Sequence, residues 1–204
     1  MTSHTGMELK AALQELRARR HDRDVVITTM GPAREWMALG PSHPLDLVLV
    51  PSAMGHATSW GLGLALARPD RRIIVVNGDG SMLMNLGSLI TIMAERPPNL
   101  LVIVCDNGGY EVTGAQPTPG SAAGRVGADR ADLTAIARGA GFEKVAHCQS
   151  LESWIRTLPE VLDQRGPSFV VLDIRLIPET PGPRSPGPAG PRGVAFMAAF
   201  RSQL

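Results

Sequence analysis

Residues 73–76, Ile-Ile-Val-Val, are apolar at every position, and residues 100–105 repeat the pattern as Leu-Leu-Val-Ile-Val-Cys. A strand with one wetted face alternates apolar and polar residues. A strand without alternation must be covered on both faces, as in parallel sheets flanked by helices. Residues 25–28 and 45–50 read as further strands, and 169–174 as the strand that closes the sheet. Helical patterns lie between them. One is amphipathic, with Leu9, Leu13 and Leu16, and ends near Arg20; a small-residue stretch over 55–67 suits close packing on a sheet. Residues 82–94 are apolar nearly all round, which predicts a buried helix, and 133–139 and 151–162 also read as helical. This alternation predicts an α/β domain: a doubly wound, mainly parallel sheet with helices on both faces. With 44% apolar content in 204 residues, the chain can build the core of one domain, placed at 1–177. Proline and glycine dominate residues 178–192. Residues 178–204 therefore read as a tail: an extended or mobile linker, then an apolar stretch at 194–200 that either docks as a short helix or stays disordered.

The strand at 73–76 runs into Asn77-Gly78-Asp79-Gly80-Ser81, and the strand at 100–105 into Asp106-Asn107-Gly108-Gly109-Tyr110. Asp79 and Asn107 stand 107 − 79 = 28 positions apart. Carboxylate and amide oxygens at the carboxyl ends of neighbouring parallel strands can hold a hard cation that in turn grips a diphosphate. Gly78 and Gly80 permit tight turns and close approach to phosphate. Ser81 opens a helix whose free N–H groups favour an anion, and Asn77 and Asp106 are placed to support the turns. The pair reads as a magnesium–diphosphate anchor. A nucleotide-binding reading fits the sheet but lacks a Gly-x-Gly-x-x-Gly turn after the first strand.

This Gly-Asp-Gly and spaced Asn resemble the signature of thiamine-diphosphate enzymes. The run from Tyr110 through Glu111 to Gln116 and Thr118 is similar to the corresponding segment of sulfopyruvate and phosphonopyruvate decarboxylases, as is Pro51-Ser52-Ala53-Met54-Gly55. The resemblance covers residues 25–173. It implies thiamine diphosphate and Mg2+ as cofactors, with Asp79, Asn107 and the Gly109 main-chain carbonyl on the metal. It implies cofactor contacts from Ser52, Ala53, Met54, Gly78, Asp79, Gly80, Ser81, Asn107, Gly109 and Tyr110, with Met54 propping the cofactor into a bent shape and the Ser52 carbonyl accepting from its aminopyrimidine. The expected reaction is decarboxylation of a 2-oxo acid. The family also needs a Glu on a pyrimidine-binding domain, and neither Glu35 nor Glu95 lies in a matching segment. A second subunit carrying that Glu is therefore the expected partner. Alternatives are a subunit of another thiamine-diphosphate carboligase or oxidoreductase, and a non-catalytic cofactor-binding or assembly module.

Several residues stay open. His56 follows Met54-Gly55 and either serves as an acid–base group or caps its helix; His43 sits in an expected loop. Tyr110, Glu111, Thr113, Gln116 and Thr118 lie either near the diphosphate or in a solvated turn. Arg125 and Arg130 either attract an anionic substrate or are surface charge. A net charge of +1 leaves no footprint for nucleic acid or an anionic membrane, and no apolar run reaches the roughly 20 residues of a membrane span. Two cysteines, Cys105 and Cys148, make no disulfide framework, so a reduced cytoplasmic setting is expected.

Overall fold

The computed structural model describes residues 6–49, 53–124, 129–177 and 185–202. Among them, strands β1 (Val25–Thr29), β2 (Asp46–Leu49), β3 (Ile73–Gly78), β4 (Leu100–Asp106), β7 (Lys144–Cys148) and β8 (Ser168–Asp173) form one parallel sheet. The spatial order is β2-β1-β3-β4-β8-β7, and the short strands β5 (Gly109–Tyr110) and β6 (Gln116–Pro117) make a separate antiparallel ribbon. Helices α1 (Leu9–Arg19), α2 (Met30–Ala38) and α7 (Leu151–Asp163) cover one face. The other is covered by α3 (Ala57–Ala67), α5 (Gly87–Glu95), α6 (Leu133–Gly139) and α8 (Ala189–Arg201), while α4 (Asp79–Leu83) caps the end of β3.

The unalternating strands fill two cores at once because side chains along a strand point to opposite faces in turn. On β3, Ile74 and Val76 pack with Leu13, Trp36 and Trp154, whereas Ile73 and Val75 pack with Leu89, Ile92 and Phe169. α7 shows the helical counterpart. Ser150 and Ser153 close a capping box at its start, and Trp154, Leu158, Val161 and Leu162 form its buried stripe. α3 lies close on the sheet because Gly61 has no side chain; an added Cβ would overlap Val75 Cγ2.

Two expectations change, and two elements are new. Residues 82–94 are two helices, not one: α4 stops at Leu83 and α5 starts at Gly87, leaving Met84 exposed at the break. Ile90 is exposed as well, because the sheet can cover only one side of so apolar a segment. The strand at 169–174 does not close the sheet; β8 lies between β4 and β7, and the edge is β7. β7 escapes a pattern search because Lys144-Val-Ala-His-Cys148 mixes polar residues with apolar ones and is half-exposed, as an edge strand is. α2 follows β1 without a loop, at Met30, whose φ is 57°.

The tail also differs. α8 begins at Ala189, so 189–192 is helical rather than linker, and residues 178–184 lie outside the described residues. Phe196 and Phe200 stack with ring centroids 5.7 Å apart and are buried against the second core. The Arg68 guanidinium lies 5.7 Å from the Phe200 ring centroid and donates to the Phe200 carbonyl, while buried Arg71 donates to the Ser202 carbonyl. Cations at the last carbonyls of a helix complement its negative end. Arg192 donates to the Val48 carbonyl on edge strand β2 at 2.9 Å. Phe200→Ala is expected to cost about 3 kcal/mol, read as a lower urea midpoint.

Candidate functional site

The strand order reverses between β1 and β3: the chain leaves β1 for β2 on one side and returns to β3 on the other. Connections that depart in opposite directions open a crevice over the carboxyl ends of the two strands. A cleft lies there, lined by Met30, Gly31 and Pro32 after β1, Gly78–Ser81 after β3, and Cys105, Asn107, Gly109 and Tyr110 around the end of β4. Met54, Glu111 and Ile174 also line it.

Asp79 is buried at the first turn of α4. Its Oδ2 accepts from Thr118 Oγ1 at 3.1 Å, and the main-chain N–H groups of Gly80 and Asn107 lie near enough to favour its ionised form. Among the described residues it has no ion pair. Burial, and secondarily the charge of Asp106, push its carboxyl up to about 7. Asn107, also buried, accepts from the Gly109 N–H through Oδ1 at 3.0 Å and donates from Nδ2 to Glu111 Oε1 at 2.7 Å. A Cβ added at Gly78 would meet nothing within 4 Å, so the backbone there borders open space. A buried carboxylate surrounded by neutral donors, an amide oxygen from the adjoining strand and room beside a glycine together suit a hard cation carrying an anionic ligand.

The surroundings hold this arrangement. Asp106 Oδ1 accepts from the Gly108 N–H at 3.2 Å, fixing the turn. Its other oxygen pairs with Arg130, which also reaches Asp173 Oδ1 at 3.1 Å, a carboxylate that His147 Nε2 meets at 2.9 Å. The β5–β6 ribbon returns Thr118 to Asp79, with the Thr118 N–H donating to the Gly108 carbonyl at 2.9 Å. Ser81 Oγ accepts from the Gly55 N–H at 2.9 Å and Asn85 Nδ2 donates to the Gly55 carbonyl at 2.7 Å, which ties the Met54-Gly55 turn to the residues after β3.

Of the residues singled out in the sequence, the cleft brings together Met54, Gly78, Asp79, Gly80, Ser81, Asn107, Gly109 and Tyr110. Ala53 adjoins Met54 with φ 115° and is not in the lining, and Ser52 lies outside the described residues. His56 is exposed at the N-cap of α3, away from the lining. His43 is not simply solvated: its Nδ1 accepts from the Leu45 N–H at 3.1 Å. Arg130 is committed to Asp106 and Asp173, and Arg125 lies outside the described residues. Sequence reasoning missed Met30, Gly31 and Pro32. The available signal was a Gly-Pro directly after a buried strand, where a helix starts. It also left Thr118 and Glu111 unplaced, because only the ribbon carries them back to the strand ends.

The family described as thiamine pyrophosphate enzyme, C-terminal TPP binding domain, matches residues 28–172. Phosphonopyruvate decarboxylase of Streptomyces viridochromogenes is 41% identical over 166 residues, covering 81% of this chain and 39% of that protein. Sulfopyruvate decarboxylase subunit beta of Methanothermobacter thermautotrophicus is 37% identical over 153 residues, 74% of each chain. The chain therefore spans less than half of the first relative and about three quarters of the second. The fold is shared with 2-oxoglutarate:ferredoxin oxidoreductase from Magnetococcus marinus, at a TM-score of 0.65 and 17% identity over 95% of this chain and 74% of that one.

Proposed function

We propose a function from one premise: this chain belongs to the thiamine pyrophosphate enzymes, as a C-terminal TPP binding domain. It anchors thiamine diphosphate and Mg2+ in a 2-oxo acid decarboxylase of the sulfopyruvate and phosphonopyruvate kind, and it works with a second subunit that supplies the pyrimidine-side Glu. The observation that carries this reading is the pairing of buried Asp79 with Asn107 at the ends of adjoining strands, beside the open space at Gly78.

Asp79 and Asn107 would give side-chain oxygens to Mg2+, and Gly109 its main-chain carbonyl. Gly78 leaves room for the diphosphate, whereas the backbone at Gly31, at the start of α2, is covered by the Glu111 carboxylate. Met54, held by the Ser81 and Asn85 contacts to Gly55, would set the cofactor's bend. When bound, thiamine diphosphate supplies the nucleophilic carbon and the electron sink for loss of CO2. The need for a partner is supported by the cleft itself: among the described residues its carboxylates are Asp79 and Glu111, both at the metal loop rather than opposite it. A cytoplasmic setting fits the two free, buried cysteines.

The test is isolation of the protein with its partner and measurement of CO2 release from a panel of 2-oxo acids, with and without an electron acceptor. Release from sulfo- or phosphonopyruvate is expected, requiring thiamine diphosphate, Mg2+ and both subunits, with the acceptor untouched. Acceptor reduction, or a carbon–carbon bonded product, would replace decarboxylation by oxidation or carboligation.

A further inference from the structure

A side-chain amide has two ends of nearly equal size and opposite chemistry, and only its oxygen can bind a cation. Which end Asn107 offers is decided by its neighbours. Its Nδ2 donates to the Glu111 carboxylate at 2.7 Å, while its Oδ1 accepts from the Gly109 N–H at 3.0 Å and retains a second lone pair. Turning the amide over would set its oxygen against the Glu111 carboxylate and its NH2 against the Gly109 N–H. Both contacts would then be repulsive. The Glu111 contact involves a charged acceptor and is the stronger of the two.

Glu111 is itself seated by the fold. A Cβ at Gly31 would lie 2.5 Å from Glu111 Oε2, so the carboxylate rests against bare backbone at the end of β1 while it meets Asn107 at the end of β4. It thereby spans the strand that carries Asp79, and it lines the same cleft.

We infer that Glu111 is a positioning residue: by accepting from Asn107 Nδ2 it fixes the amide with Oδ1 toward the cation site. This rests on Asn107 being a metal ligand, as in the function proposed above. Partners that orient a metal ligand commonly govern affinity by 10–100-fold. Glutamine at 111 can accept the same bond through its carbonyl oxygen, whereas alanine cannot.

The test is Mn2+ binding to the full chain in the presence of thiamine diphosphate, read by electron paramagnetic resonance with Mn2+ standing in for Mg2+. Glu111→Ala is expected to weaken Mn2+ binding about tenfold, and Glu111→Gln to stay within about twofold of wild type. In an Asn107→Asp background, whose two oxygens are equivalent, Glu111→Ala is expected to cause no further loss. Wild-type affinity in Glu111→Ala overturns the inference. So does a Glu111→Gln protein as weak as Glu111→Ala, since charge or direct ligation would then be at work. An equal loss in the Asn107→Asp background also overturns it, pointing to general loop damage. An Asp79→Asn control is expected to lose binding; if it binds like wild type, the cation site itself fails and the role of Glu111 with it.

Discussion

Asp79→Asn is expected to weaken Mg2+-dependent binding of thiamine diphosphate by about a hundredfold or more, because in the function proposed above Asp79 is the one ionised ligand of the metal, and yet to unfold at a higher urea concentration than wild type above pH 7. The second effect follows from burial. The carboxyl has an ordinary value of 3.8 and is pushed up to about 7 in the folded chain, chiefly by desolvation and then by the charge of Asp106. The folded state therefore holds its proton more tightly than the unfolded chain does. At pH below about 4 both states are protonated and the site costs nothing. As pH rises from 4 to 7 the unfolded chain releases its proton first, so stability falls, and above 7 the full penalty of a buried charge is present. Asparagine is neutral throughout and removes that slope, a gain of roughly 2 kcal/mol at pH 8 once the coupling to Asp106 is discounted. Urea midpoints of both proteins at pH 5 and pH 8, without metal, check the stability arm, and calorimetric titration with Mg2+ and thiamine diphosphate checks the binding arm. Equal midpoints at both pH values would mean that water or a rearrangement already relieves the buried carboxylate.

Trp154→Ala is expected to remove about 3–5 kcal/mol of stability, the usual loss when a fully buried aromatic becomes a cavity. Trp154 is wholly buried in α7, and its Nε1 donates to the Ala12 carbonyl at 3.0 Å, joining residues 142 positions apart. The indole thus fastens α7 to α1, whose Leu9 lines the cleft. Trp154→Phe keeps most of the apolar volume and forfeits the hydrogen bond, for an expected loss of about 1–2 kcal/mol. Urea denaturation with an unchanged m-value is the measurement. Similar losses in the two variants would show that the hydrogen bond rather than the cavity dominates.

The fold class was legible because its signal is physical and local. All-apolar runs at 73–76 and 100–105 can be satisfied only by burial on both faces, and the two cores on either side of β3 are the result. Asp79 and Asn107 were legible for a related reason: each follows such a run beside glycine, and parallel strands deliver their carboxyl ends to one edge of the sheet. The edge strand β7 was not legible, since half-exposed strands need no distinctive composition. Nor was the break between α4 and α5, where the apolar pattern continues through a turn.

By itself, then, the sequence determined which residues sit at the strand ends and that glycine-flanked oxygen donors gather there, because hydrophobic periodicity and turn chemistry act over a few neighbouring residues. Only the tertiary structure decided what surrounds them. The order β2-β1-β3-β4 brings Gly31 and Asp79 into one cleft, and the β5–β6 ribbon returns Thr118 to the Asp79 carboxylate. The turn between Asn107 and Glu111 closes their hydrogen bond, and Phe196 and Phe200 dock the tail helix on the core. Such contacts depend on strand order and chain reversal, which are settled by the burial of whole helices on a sheet rather than by any residue's local preference.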